Sequence, residues 1–289
     1  MASRAGVCES GAMANLAPRI RLNDGNSIPQ IGLGTWPLDD GEVAEAIVAA
    51  TGLGYRHIDT AAKYGNEKGV GAGILKSGVP RDELFVTTKL DGQFQGDERA
   101  DSGLTASLER LGTDYVDLLL IHWPLPQRDE YISTFRTFAR LQEQGRVRSI
   151  GVSNFKPAHL ERLVAETGIT PAVNQIELNP YVVRAEQREA NARLGIVTES
   201  WSPLGPNTGL LTDARILRIA GEHGVTPGQV VLRWHVQQGL VAIPKSKSPE
   251  RLAQNLEVFD FELGESDLAT IAEFSQGADA GVDSDVSGH

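Results

Sequence analysis

The chain has 289 residues, a formal net charge of −11, 40 % apolar and 22 % charged residues, and one cysteine, Cys8. The acidic surplus argues against nucleic acid as a partner, since phosphate binding needs clustered Lys and Arg, and a single cysteine leaves no intrachain disulfide and no cysteine-rich metal centre. No run approaches the roughly 18 apolar residues of a membrane span, and the first residues lack the apolar core of a signal peptide; a cytoplasmic monomer that binds no membrane is expected.

In chain order, residues 1–15 are small and polar and read as a flexible leader. Arg19-Ile-Arg-Leu22 and Ser27-Ile-Pro-Gln-Ile31 flank Asn23-Asp-Gly-Asn26, where Asp24-Gly25 signals a hairpin turn. Eight short apolar runs follow: 31–35, 56–59, 84–89, 116–121, 147–152, 172–176, 196–200 and 240–244. Between them lie stretches with helical spacing, such as Glu42 to Leu53, with Val43, Ala46, Ile47 and Ala50 on one face. Repeated βα units imply parallel strands with right-handed crossovers, and eight of them close into an α/β (β/α)8 TIM barrel. The hairpin then caps the barrel bottom. A doubly wound open sheet is the rival fold. Residues 16–276 read as one barrel domain and residues 277–289 as a flexible C-terminal tail.

Catalytic groups of such barrels sit at the C-terminal strand ends and in the loops that follow. The second strand ends at Asp59, the third at Lys89 and the fourth at His122, and Tyr64 lies just past Asp59. These four would meet at one mouth. A carbonyl that accepts a hydride becomes an alkoxide and needs a proton, which a phenol can give. Tyrosine's ordinary pKa is about 10. An ammonium about 4 Å away, at an effective dielectric near 20, favours the phenolate by on the order of 4 kcal/mol before offsets. Lys89 would thus lower the pKa of Tyr64, Asp59 would hold Lys89 charged and aimed, and His122 would orient the substrate oxygen. Taken singly, each has a plainer reading: a strand-end cap, a structural ion pair, a packed histidine or a surface ring.

At the barrel's other candidate site, Lys245, Ser246, Lys247, Ser248 and Arg251 follow the eighth strand, with a helix start at Pro249. Cations, hydroxyls and a helix N-terminus suit a phosphate ester. No G-x-G-x-x-G follows any strand; Gly69-Val-Gly-Ala-Gly73 has the wrong spacing and falls in a predicted helix, where close helix packing explains it.

Three stretches together resemble the aldo-keto reductase family: Gly54-Tyr-Arg-His-Ile-Asp-Thr-Ala61 with Tyr64, Glu67 and Gly71; Gly145-Arg-Val-Arg-Ser-Ile-Gly-Val-Ser-Asn-Phe155; and Ile243-Pro-Lys-Ser246 with Arg251 and Asn255. The resemblance runs over about residues 17–276 and is nearest to the prokaryotic diketo-gluconate reductase-like branch. It implies an NADP(H)-dependent oxidoreductase acting on the CH–OH group of donors, with Asp59, Tyr64, Lys89 and His122 as its tetrad. It further implies that Lys245, Ser246, Arg251 and Asn255 grip the adenosine 2′-phosphate and adenine, with Gln254 beside the adenine. Ser153, Asn154 and Gln175 match carboxamide ligands. Trp201 would stack on the nicotinamide, with Ser202 and Leu204 along the pyrophosphate.

Trp36 and Trp123 are expected to line the substrate pocket. The tail has no aromatic residue after Phe274, so an aromatic lid is not expected, and an open pocket for small dicarbonyls, aldehydes or ketones follows. Two other readings stand beside the reductase. One is a non-catalytic barrel that binds NADPH and senses redox state or regulates a partner. The other is a metal-dependent hydrolase, against which the dispersed histidines, with no H-x-H or H-E-x-x-H, count.

Overall fold

A computed structural model of the chain describes residues 16–288, so the leader expected over residues 1–15 lies outside the described residues. Strands β1 (Arg19–Arg21) and β2 (Ser27–Pro29) pair antiparallel, Arg19 opposite Pro29. Gly25 takes the left-handed conformation that the turn requires, φ 91°. Leu22 and Ile28 from this hairpin pack on Phe85, Leu118, Val173 and Val241 inside the barrel. Asn23 and Asn26 donate to the carbonyls of Pro171 and Arg148 at 2.9 and 3.0 Å. The hairpin therefore plugs the barrel's bottom.

The eight apolar runs become eight parallel strands: β3 (Leu33–Gly34), β4 (His57–Asp59), β5 (Phe85–Leu90), β6 (Val116–Ile121), β7 (Val147–Ser153), β8 (Val173–Glu177), β9 (Val197–Trp201) and β10 (Val241–Ala242). Each pairs with its neighbour in sequence order. Between the first and last of them, Ile31 bridges Ala242 in parallel and Gly34 N–H donates to Pro244 O at 3.2 Å. The sheet is thus a closed barrel, and the open doubly wound alternative is excluded.

Ten α-helices flank it among the described residues: α1 (Asp40–Leu53), α2 (Glu67–Ser77), α3 (Asp97–Leu111), α4 (Tyr131–Glu143), α5 (Pro157–Thr167), α6 (Ala185–Leu194), α7 (Ala214–His223), α8 (Pro227–Gln237), α9 (Pro249–Leu256) and α10 (Glu265–Ala272). Helix α1 starts where the Asp39 carboxylate accepts from Glu42 N–H at 2.8 Å and stops at left-handed Gly54. It buries Val43, Ala46, Ile47 and Ala50, the face read from the spacing. Fully burying side chains of the Val and Ile class is worth about 1.5–3 kcal/mol each, which fixes the helix's rotation. Helix α2 lies unusually close because Gly69 and Gly73 have no side chain. A Cβ on Gly69 would stand 2.3 Å from Asp40 O, and one on Gly73 2.9 Å from Ala44 Cα. The glycine cluster is a packing device.

The C-terminal segment differs from the loose tail expected. Val282 N–H donates to the Glu177 carboxylate at 2.7 Å, and Arg184 donates to Val282 O at 2.8 Å. Lys156 pairs with Asp283 and Asp285, and His159 Nε2 lies 3.1 Å from Asp285. The segment finishes with Gly288 packed on Trp123 and Leu125. Polar composition suggested a free chain, but its acids meet Lys156 and His159 at the start of α5.

Candidate active site

The C-terminal strand ends bring the polar residues together. Asp59 ends β4, Lys89 is the fifth residue of β5, and His122 follows β6 directly. A strand alternates its side chains between faces, so a polar residue at an inward position of an apolar strand must meet others across the barrel. Lys89 Nζ donates to Asp59 Oδ1 at 2.5 Å, to Thr60 O at 3.0 Å and to Tyr64 Oη at 3.3 Å. Tyr64 rides on a 3-10 turn, Ala62–Tyr64, and its ring meets that of His122 edge-on with centroids 5.7 Å apart. On its other side Trp36 lies 5.3 Å away.

Lys89 and Asp59 are both about 1 % exposed. Burial is the largest single influence and would lower the Lys89 pKa, but the charge and hydrogen bond of Asp59, with Tyr64 and Glu199, together outweigh it and hold the ammonium well above its ordinary value. Tyr64 corrects the expectation drawn from sequence. Burial raises the phenol, Lys89 pulls it down by less, and Asp59 and Glu199 add to the rise, so its pKa stands above the ordinary value. The pull of the nearby cation is outweighed by desolvation and the two carboxyls beneath.

Tyr64 opens onto a cavity of about 440 Å³ whose walls include Trp36, His122, Trp123, Ser153, Asn154, Gln175, Trp201 and Ser202. Lys63, which lies 3.8 Å from Asp91, also lines it and was not foreseen. Trp36 is 59 % exposed and forms a free edge of the mouth, whereas Trp123 is buried beneath the C-terminal segment. Trp201 donates its indole N–H to Asn154 Oδ1 at 2.9 Å, and Asn154 donates to His122 O and Ser153 Oγ, both at 3.0 Å. Both amide hydrogens of Asn154 are thus spent within the protein, and only acceptor capacity remains. Asn154 and Ser202 hold left-handed backbones, φ 65° and 50°, on the cavity wall. Strained non-glycine residues gather at sites where position matters more than stability.

A second hollow, about 360 Å³, shares Ser202 and Ile243 with the first and extends along Leu204 to Lys245. Beyond it the remaining cofactor candidates surround the start of α9. Ser248 caps that helix, Ser246 Oγ accepts from Ser248 N–H at 3.1 Å, and Asn255 is buried beside the Tyr55 hydroxyl. Arg251 is exposed and Gln254 half-buried. Lys247 points elsewhere and pairs with Glu42 at 2.5 Å.

Glu199 is the buried group that sequence reading missed. Its one signal was an acid at the middle of a short strand, Val197-Thr-Glu-Ser-Trp201, between two hydroxyl residues. His57, Asp59 and Glu199 bring possible ligand atoms within 4.8 Å of one another. The ammonium of Lys89 already supplies the cation there, bonded to Asp59. Gln175 leaves its amide oxygen without a hydrogen-bond partner among the described residues, on the cavity wall. An unmet acceptor, an indole face, and a trough running from His122 to Lys245 fit a nicotinamide dinucleotide phosphate.

The family model described as "Aldo/keto reductase family" matches residues 30–276. The chain belongs to that family. It is 53 % identical over 268 residues to an aldo-keto reductase of Mycolicibacterium smegmatis, covering 93 % of this chain and 97 % of that one. It is 46 % identical over 270 residues to the methylglyoxal reductase DkgA of Escherichia coli, covering 93 % and 98 %. Among solved structures, an aldo-keto reductase of Bombyx mori in complex with NADP superposes with TM-score 0.85 at 38 % identity, covering 90 % of this chain and 93 % of that one. No helix among the described residues is long and apolar enough to cross a membrane.

Proposed function

We propose that the protein is an NADPH-dependent carbonyl reductase in which Tyr64 is the general acid. The observation that carries this reading is the buried Asp59–Lys89 pair with its ammonium 3.3 Å from Tyr64 Oη, at the floor of a cavity walled by His122 and Trp201. Ser202, Leu204, Lys245, Ser246, Ser248, Arg251, Gln254 and Asn255 would hold the cofactor's phosphates and adenine. Trp201 and Gln175 would hold its nicotinamide, which supplies the hydride when bound. Lys247 joins them by exchanging Glu42 for the 2′-phosphate.

The chain's own groups manage the proton. With its pKa raised, Tyr64 carries its proton across the neutral range. His122 orients the substrate oxygen toward the phenol. As negative charge builds on that oxygen, Tyr64 Oη–H gives its proton, and Lys89 stabilises the phenolate left behind. Asp59 keeps Lys89 charged and fixed. The trough between Trp36 and Trp123 excludes water from one side while leaving the exposed side open. That shape, and the similarity to a methylglyoxal reductase, support small aldehydes, ketones and dicarbonyls as substrates. The protein is expected to act in the cytoplasm as a monomer.

The test is NADPH consumption with a panel of small carbonyls, on the native protein and Tyr64→Phe. Turnover in the first and a loss of about three powers of ten in the second is expected, since a positioned acid contributes roughly 10²–10⁴-fold. Equal turnover in both would mean another acid. Tight NADPH binding with no turnover by the native protein would favour the redox-sensing reading.

A further inference from the structure

Beneath the proton donor lies a carboxyl that this chemistry does not use. Glu199 sits in the middle of β9, fully buried, and strand register sets it level with Gln175 of β8. Gln175 is in turn level with Ser153 of β7. Burying a carboxyl is costly unless it is hydrogen-bonded, and here Oε2 has a hydrogen-bond partner while Oε1 has none among the described residues. Gln175 Nε2 donates to Glu199 Oε2 at 2.9 Å and to Asp59 Oδ2 at 2.7 Å.

An amide nitrogen carries two hydrogens, and both are committed here. Turning the amide over would set its oxygen against two acceptors. The side chain is therefore fixed with its nitrogen inward. Its oxygen is the only polar atom of the side chain left, and it has no partner among the described residues. Asp59 alone would not achieve this, because it takes one hydrogen and already accepts from Lys89.

We propose that Glu199 is a positioning residue: with Asp59 it locks Gln175 so that only an acceptor faces the nicotinamide, making the site selective for a ring substituent that donates N–H. The proposal rests on the NADPH reading of the cavity. The lock needs Oε2 free of a proton, and a proton on Glu199 can sit on Oε1 instead. Burial, and then the charge of Asp59, push its carboxyl up to about 8, against the pull of Gln175 and Lys89. In the protonated form one oxygen still accepts from Gln175. His57, 3.5 Å from the other oxygen, is the remaining titratable neighbour, and burial holds it neutral.

The test measures binding without turnover, by quenching of tryptophan fluorescence, for three ligands. These are NADP⁺, its 3-acetylpyridine analogue, in which a methyl replaces the amide NH₂, and 2′-phospho-ADP-ribose, which has no ring. The proteins are native, Glu199→Gln, which keeps the acceptor, and Glu199→Met, which removes it. The native protein should prefer NADP⁺ over the acetylpyridine analogue by about tenfold, the worth of one hydrogen bond. Glu199→Gln should keep that preference and Glu199→Met should cut it to about twofold, while 2′-phospho-ADP-ribose binds all three alike. Should Glu199→Met fail to fold, Glu199→Ala makes the same demand. An unchanged preference in the apolar variant, or no preference in the native protein, overturns the proposal. Absence of binding by both NADP⁺ and 2′-phospho-ADP-ribose would instead overturn the NADPH reading beneath it.

Discussion

Replacing Lys89 with Met removes the only cation that, among the described residues, is bonded to the Asp59–Tyr64 cluster, and the structure sets the size of the effect. At 3.3 Å and an effective dielectric near 20, a full charge on Tyr64 Oη is stabilised by about 5 kcal/mol. Each 1.4 kcal/mol of barrier is about tenfold in rate, so a fully formed phenolate would cost three to four powers of ten. Only part of that charge exists in the transition state, which makes about two powers of ten the expected minimum. The substitution also leaves Asp59 buried without its cation, at about 3–5 kcal/mol of stability. The assay is therefore kcat on a small dicarbonyl, with NADPH affinity and the melting temperature measured beside it. A double variant, Lys89→Met with Asp59→Asn, removes the orphaned charge. It should recover most of the stability and none of the rate. If folded Lys89→Met retained kcat within fivefold of the native protein, the role given to the ammonium would be wrong.

Two other outcomes follow from features away from the chemistry. Gly69→Ala would set a Cβ 2.3 Å from Asp40 O, which is backbone and cannot swing aside. Helices α1 and α2 must part, and urea titration should find a loss of about 1–3 kcal/mol; an unchanged midpoint would mean the helices are not in contact there. His57 and His235 are fully buried and desolvation pushes both from 6.5 down to about 3. A base with a depressed folded pKa lends stability above its unfolded value and loses it as pH falls toward its folded one. Stability should therefore decline from about pH 6.5 toward pH 3, with each such group contributing up to about 1.4 kcal/mol per pH unit. His235→Gln, which can still donate to Pro203 O, should make that decline shallower, and identical slopes would contradict the assignment.

The barrel was legible because its strands are short apolar runs in regular alternation with helical spacing. Val116–Ile121 was read to the residue. The runs at 31–35 and 240–244 were read too long. The first and last strands are each two residues long, and at the seam they meet through the isolated Ile31–Ala242 bridge. Asp59, Lys89 and His122 were legible because each lies at the C-terminal end of its strand, the place where barrels carry chemistry. Register was not, and register is what sets Glu199 beside Gln175. Nor could the sequence balance desolvation against attraction at Tyr64, since that depends on how many carboxyls lie beneath it. Lys247 looked free because its partner, Glu42, is 205 residues away in the chain.

The docked C-terminal segment bears on how the protein can be handled. Gly288 rests on Trp123, a wall of the cavity, whereas Leu16 leads into the hairpin at the opposite end of the barrel. A bulky group attached at Gly288 would be planted at the rim of the mouth. There it could crowd incoming molecules or prise the segment from Lys156. The same group attached at Leu16 would stand on the far side. Immobilising the protein through Leu16 would thus turn the opening outward, toward whatever flows past.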